Sequence, residues 1–192
     1  MLFFQQTLCY YDLRDALSLE PNHEEASHLM KMIEEAAEQL RNSSLILSLS
    51  NRVTDSLNKI NGAIAMNPAK AEYNLQRGIL YKRMQNFNGA IDEFILGLDK
   101  IDHNPANDTE LFKNLQRQIL LTYNDFGVQC FHKRFYDESI LLLNKAIRLE
   151  KNEKGLYLNR GGIFINRAKK TFIHSISFLK IVFSKKMIII LH

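Results

Sequence analysis

"AEYNLQRGILYKRMQNFNGAIDEFILGLDK", residues 71–100, reads as two helical phrases joined at "MQN". Small and aromatic residues stand three, four and seven apart at Gly78, Tyr81, Phe87, Ala90, Phe94 and Gly97. That is the spacing of one helix face rather than of a strand. A glycine inside a helix costs about 1 kcal/mol against alanine, so Gly78 marks a place where a second backbone comes close. The stretch therefore predicts a pair of antiparallel helices with Ala90 facing Gly78. Tyr81, Phe87 and Phe94 would fill the wider space around that contact.

The same wording returns on either side. "LTYNDFGVQCFHKRFYDESILLLNKAIRL" (121–149) repeats both phrases, with Gly127 and Ser139 where Gly78 and Ala90 stood. "KGLYLNRGGIF" (154–164) repeats only the first, around Gly161. The second phrase ends alike in "ALSLEPN" (16–22), "AIAMNPA" (63–69) and "AIRLEKN" (146–152), more weakly in "GLDKIDH" (97–103). Its small residues Ala16, Ala63, Gly97 and Ala146 lie 47, 34 and 49 residues apart, and the glycines at 78, 127 and 161 lie 49 and 34 apart. The base period is 34, with insertions of 13 and 15 residues. Pro21 and Pro68 end helices because proline lacks the N–H and clashes with the preceding turn.

A period of 34 with these residues resembles the tetratricopeptide repeat family. The resemblance covers roughly residues 5–162 and implies an all-α, right-handed superhelical array of helix pairs, an α-solenoid. Residues 1–162 are expected to hold the array: a half unit at 3–22, units at about 23–68, 71–104 and 108–153, and the start of another from 154. No glycine or proline occurs between Pro21 and Gly62, so the first insertion extends a helix from about 23 to 50. Serine-rich "RNSSLILSLSN" (41–51) is the place expected to break it, and "IDHNPANDT" (101–109) reads as a loop whose Asp108 or Thr109 caps the next helix. The chain reads as a central piece of a longer array.

Charge divides the sequence at the same place. Residues 154–192 hold eight Lys/Arg and no Asp or Glu, which leaves 17 basic and 21 acidic groups before them. A mildly acidic body thus carries a basic end, and the sequence pI near 9.0 describes neither. No apolar run approaches the roughly 18 residues a bilayer span needs. Cys9 and Cys130 match no metal or redox spacing, which points to a reducing, cytoplasmic setting and to packing roles for both.

Enzyme chemistry lacks its parts. No phosphate-binding loop, nucleophile elbow or paired-histidine metal motif occurs, and the six histidines are scattered. No catalytic residue, cofactor or metal is expected. The resemblance implies instead a protein-binding scaffold whose first helices line a concave face. Aligned on Gly78, Gly127 and Gly161, that face would present Leu75, Gln76, Ile79, Asn124, Asp125, Val128, Leu158 and Asn159. This apolar strip with amides suits an amphipathic helix or extended segment of another protein. Some members of the family hold carboxylate ligands of chaperones with Lys, Asn and Arg. Those positions here are Leu75, Ile79, Asp125, Gly155 and Asn159; the required types are lost and Asp125 would repel a carboxylate.

Beyond Gly161 the first helix is expected to run a turn or two and stop. A second helix in register would need small, aromatic and small residues at 173, 177 and 180, where the chain has Ile173, Ser177 and Lys180. Residues 163–192 therefore read as a basic, apolar tail foreign to the repeat. A rival reading gives that tail the function, as a basic element on membranes or RNA. Nucleic acid is otherwise not an expected partner.

Overall fold

The computed structural model describes residues 2–101 and 109–190, with side chains for residues 5–101 and 110–173. The described residues form helices and no strand: α1 Leu2–Leu19, α2 Glu24–Leu49, α3 Val53–Met66, α4 Ala71–Arg83, α5 Phe87–Lys100, α6 Thr109–His132, α7 Tyr136–Leu149 and α8 Lys154–Ile190. They divide into two compact units, residues 1–122 and 123–192, with the boundary inside α6. The loop expected at 101–109, with its capping Asp108, lies outside the described residues apart from Ile101 and the start of α6 at Thr109.

Three of the turns are one device used three times. Asn51, Gln85 and Arg134 take left-handed φ values of 59°, 60° and 66°. At each, the following N–H reaches back to a carbonyl five residues earlier: Arg52 to Leu47, Asn86 to Tyr81, and Phe135 to Cys130, all at 2.9 Å. This Schellman closure satisfies carbonyls that a helix end leaves bare and reverses the chain within three residues. It sets α2 against α3, α4 against α5, and α6 against α7. Helix starts are secured locally: the Asn86 side chain accepts from Gly89 N–H at 3.1 Å and His23 Nδ1 from Ala26 N–H at 3.2 Å.

In unit 1, α1 packs on α2 and α3, while α4 packs on α3 and α5. Its core joins Ala37, Ile60, Ala63, Tyr73 and Leu80, with Leu40, Val53, Leu57, Ile64 and Met66 against them. Burying a side chain the size of Ile60 or Leu80 contributes about 1.5–3 kcal/mol. A Cβ built on Gly78 would run into the Phe94 ring, with Cδ1 at 2.7 Å. The contact that excludes a side chain at Gly78 is therefore the aromatic ring, while Ala90 lies fully buried beside it.

The first helix pair closes differently. Ser44 and Ser56 are completely buried, and each Oγ donates to the other's carbonyl, at 2.9 and 2.7 Å. Ser44 sits 34 residues before Gly78 and Ser56 34 before Ala90, so two hydroxyls hold the same crossing. The serine-rich stretch expected to break α2 thus continues it to Leu49. Ser43 and Ser50 turn their hydroxyls back on the Gln39 and Ile46 carbonyls, at 2.8 and 3.0 Å.

In unit 2, Gly127 carries the crossing. A Cβ there would meet Leu143 Cγ at 3.1 Å and the Ser139 carbonyl at 3.4 Å, and Ser139 Oγ donates to the Gly127 carbonyl at 2.6 Å. Cys130, Leu142, Leu143, Ala146, Leu156 and Ile163 are buried where α7 meets α8. Helix α8 then runs unbroken to Ile190, not for the turn or two expected. No proline or glycine follows Gly162 to stop it.

Candidate protein-binding faces

Polar bonds tie the first helices of neighbouring pairs together. In unit 1, Tyr73 Oη donates to Glu38 Oε2 at 3.1 Å and Gln76 Nε2 to Ser44 Oγ at 2.7 Å. Arg83 donates to the Ser48 carbonyl at 2.8 Å and to Asn51 Oδ1 at 3.0 Å. Burial, and then the bond to Glu38, push the Tyr73 phenol well above its ordinary range. In unit 2, Asn159 Nδ2 on α8 donates to Asn124 Oδ1 on α6 at 2.8 Å. These bonds set α4 beside α2 and α8 beside α6, so each unit has a face made of first helices.

The sequence-derived residues fall unevenly on those faces. In unit 1, Ile79 is exposed and Leu75 half-buried, while Gln76 is buried and its amide is spent on Ser44. In unit 2, Leu158 is 76% exposed. Asn159 is exposed, and Asn124, Asp125 and Val128 are half-buried around it. The pairing of Asn159 with Asn124 brings Leu158 and the α6 residues onto one surface.

A buried polar chain escaped the sequence reading. Arg77 on α4 pairs with Glu93 on α5 at 2.7 Å and donates to Asn61 Oδ1 on α3 at 3.1 Å. Asn74 donates to the other Glu93 oxygen at 2.8 Å and accepts from Lys100 Nζ at 2.6 Å. Burial and then the Arg77 charge lower the Lys100 pKa, against the pull of Glu93. Removing one partner from such a buried pair costs about 3–5 kcal/mol, so the chain locks α3, α4 and α5. A signal was present. Arg160 donates to Asn144 Oδ1 at 2.6 Å, and Asn144 and Arg160 stand 83 residues after Asn61 and Arg77. The Asn–Arg link recurs in register between a second helix and the next first helix.

Nothing in these surroundings assembles a reaction centre. A depression on α8 lined by Phe164, Arg167, Ala168, Thr171 and Phe172 is wide open and belongs to one helix. Among the described residues no group of three His, Cys, Asp or Glu side chains could hold a metal ion, and no helix is long and apolar enough to cross a membrane. Cys130 is buried, and burial raises its pKa, whereas Cys9, expected to pack in a helix contact, is exposed.

Against known proteins, no family model matches the chain. It is 42% identical over 165 residues to tetratricopeptide repeat protein 16 of Macaca fascicularis, covering 86% of this chain and 19% of that protein. To the Mus musculus protein of that name it is 44% identical over 172 residues, covering 88% and 22%. The chain thus spans about a fifth of the length of the curated relatives it matches. Among solved structures, the Arabidopsis OM64 TPR domain aligns with a TM-score of 0.44 at 15% identity, covering 68% of this chain and 96% of that one. The first TPR of Spaghetti (RPAP3), solved bound to an HSP90 peptide, aligns at 0.43 and 15%, covering 70% and 95%.

Proposed function

Since the chain is a tetratricopeptide-type repeat protein, we propose that it works as a non-enzymatic scaffold that binds a segment of another protein on the first-helix faces of its units. The observation that carries this reading is Leu158, three-quarters exposed beside the paired amides of Asn124 and Asn159. An apolar side chain standing out of an amide-lined, pre-ordered surface is suited to an amphipathic helix or extended strand, whose backbone the amides can meet and whose side chain Leu158 can cover. Val128 widens the strip in unit 2, and Leu75 with Ile79 offers a shorter one in unit 1. Asp125 on the same surface disfavours an acidic peptide terminus.

The test takes each unit by itself. Proteins crosslinked to the wild-type chain in native tissue are identified by mass spectrometry and remade pure. Their binding is then measured to Ile79→Asp and to the Val128→Asp, Leu158→Asp pair. Loss of binding at least tenfold with unchanged helicity supports the reading. Full binding by both variants refutes it, and unfolding would place these residues in the core.

A further inference from the structure

The two ends of the chain hold complementary halves of one repeat. Helix α1 ends in the second-helix phrase, so Cys9, Asp12, Leu13 and Ala16 stand in register with Ala90, Glu93, Phe94 and Gly97 of α5 and with Ser139, Leu142, Leu143 and Ala146 of α7. The residues matching Cys9 in α3, α5 and α7 (Ser56, Ala90 and Ser139) are each 0% exposed, yet Cys9 is exposed. Asp12 is exposed too, and Leu13 and Ala16 are half-buried, whereas Phe94, Leu143, Ala63 and Ala146 are completely buried. Among the described residues, α1 packs on α2 and α3 and has no first helix of its own.

Helix α8 lacks the opposite half. Leu156 and Ile163 are buried against α7 as Tyr73 and Leu80 are buried in unit 1. The other side is bare. A Cβ built on Gly161 meets nothing within 4 Å, where one on Gly78 strikes Phe94 and one on Gly127 touches Leu143. Tyr157 and Phe164 beside it are 42% and 49% exposed. Arg160 repeats Arg77 in its bond to an asparagine of the preceding helix, but among the described residues no carboxylate plays the part of Glu93.

We propose that this uncovered face of α8 receives α1 of a second copy of the 192-residue chain, completing the repeat across a head-to-tail contact. Cys9 lies over Gly161 as Ser139 lies over Gly127. Leu13 fills the place that Leu143 fills, between Gly161 and Phe164. Asp12 reaches Arg160 as Glu93 reaches Arg77, so charge fixes the register that the small residues permit. Any polypeptide continuing the array at either end would take the same faces. The contact is heterologous: each copy keeps one free α1 and one free α8, and assembly grows open-ended unless the rotation closes a ring.

The experiment is sedimentation velocity on the full chain across a hundredfold range of concentration. Mass should rise with concentration. Gly161→Leu, whose side chain has open space in the single chain, blocks the α8 face; Cys9→Arg blocks the α1 face. Each variant alone should stay monomeric with unchanged circular dichroism, and an equimolar mixture should form a 1:1 dimer through the two intact faces. Asp12→Arg should weaken assembly at least tenfold, and adding Arg160→Glu should restore it. A wild-type chain monomeric at every concentration overturns the proposal. So does assembly that both blocking variants leave intact, which would assign association to the apolar end of α8.

Discussion

Three glycines in equivalent positions are predicted to answer the same substitution with opposite signs. Gly78→Ala drives a methyl into the Phe94 ring, which is completely buried and has nowhere to move. Overpacking of that kind costs about 1–3 kcal/mol, more than the roughly 1 kcal/mol alanine gains in a helix. Gly127→Ala meets Leu143 at 3.1 Å and should fall between. Gly161→Ala meets nothing within 4 Å and should stabilise the monomer by about 1 kcal/mol. Thermal melts at low concentration decide it: a lower Tm for Gly161→Ala would show that something already covers the site. The turns allow a second check. Arg134 is exposed and held at φ 66°, a conformation that costs a non-glycine residue about 1–2 kcal/mol. Arg134→Gly should raise Tm by a few degrees, and a drop would mean the arginine side chain holds the turn. The glycines were legible in sequence because a glycine inside a helix needs a reason. Ser44 and Ser56 were not, since serine at a helix crossing looks like serine on a helix surface until the 34-residue offset from Gly78 and Ala90 is applied.

At the scale of elements, the period predicts which segments pair, and the structure adds how far each runs. Helices α2 and α6 are 26 and 24 residues long against 13 for α4. In α2 the extra length lies before Ser44, the counterpart of Gly78, so the first insertion lengthens the helix without disturbing the crossing. The end of α8 was misjudged because absence of the repeat pattern is not a stop signal. A helix ends at a proline, a glycine or a better partner, and residues 163–190 offer none of these. Past Ile163 its side chains do little for the fold. Arg167 pairs with Asp137 at 2.8 Å, both groups about half exposed or more, and such pairs contribute about 0–1 kcal/mol. Phe172 and Ile173 are 68% and 60% exposed. Ending the chain at residue 162 should therefore lower Tm by no more than a few degrees and raise solubility, since an exposed apolar run invites aggregation. A broad, uncooperative melt of the shortened chain would assign the end of α8 a structural role.

For the whole molecule, the separation of acidic body from basic end lets salt distinguish two ways of binding. Residues 163–192 carry six Lys/Arg, two of the eight beyond 153 lying before them, and no acidic group. Attraction of such a segment to phosphate groups arises from counterion release and weakens steeply as salt rises. Binding through Leu158, Val128 and Ile79 rests on apolar burial and amide hydrogen bonds, which ordinary salt leaves largely unchanged. The full chain should thus show any adhesion to anionic vesicles or RNA collapsing between low and physiological salt, and residues 1–162 should show none. Capture of an identified protein partner should survive both the salt and the shortening, and fail with Val128→Asp and Leu158→Asp. The opposite pattern, with partner capture lost on shortening and kept in the double variant, would move the function from the first-helix faces to the basic end of α8. Leu158 would then stand exposed for want of the next helix, not for the sake of a partner.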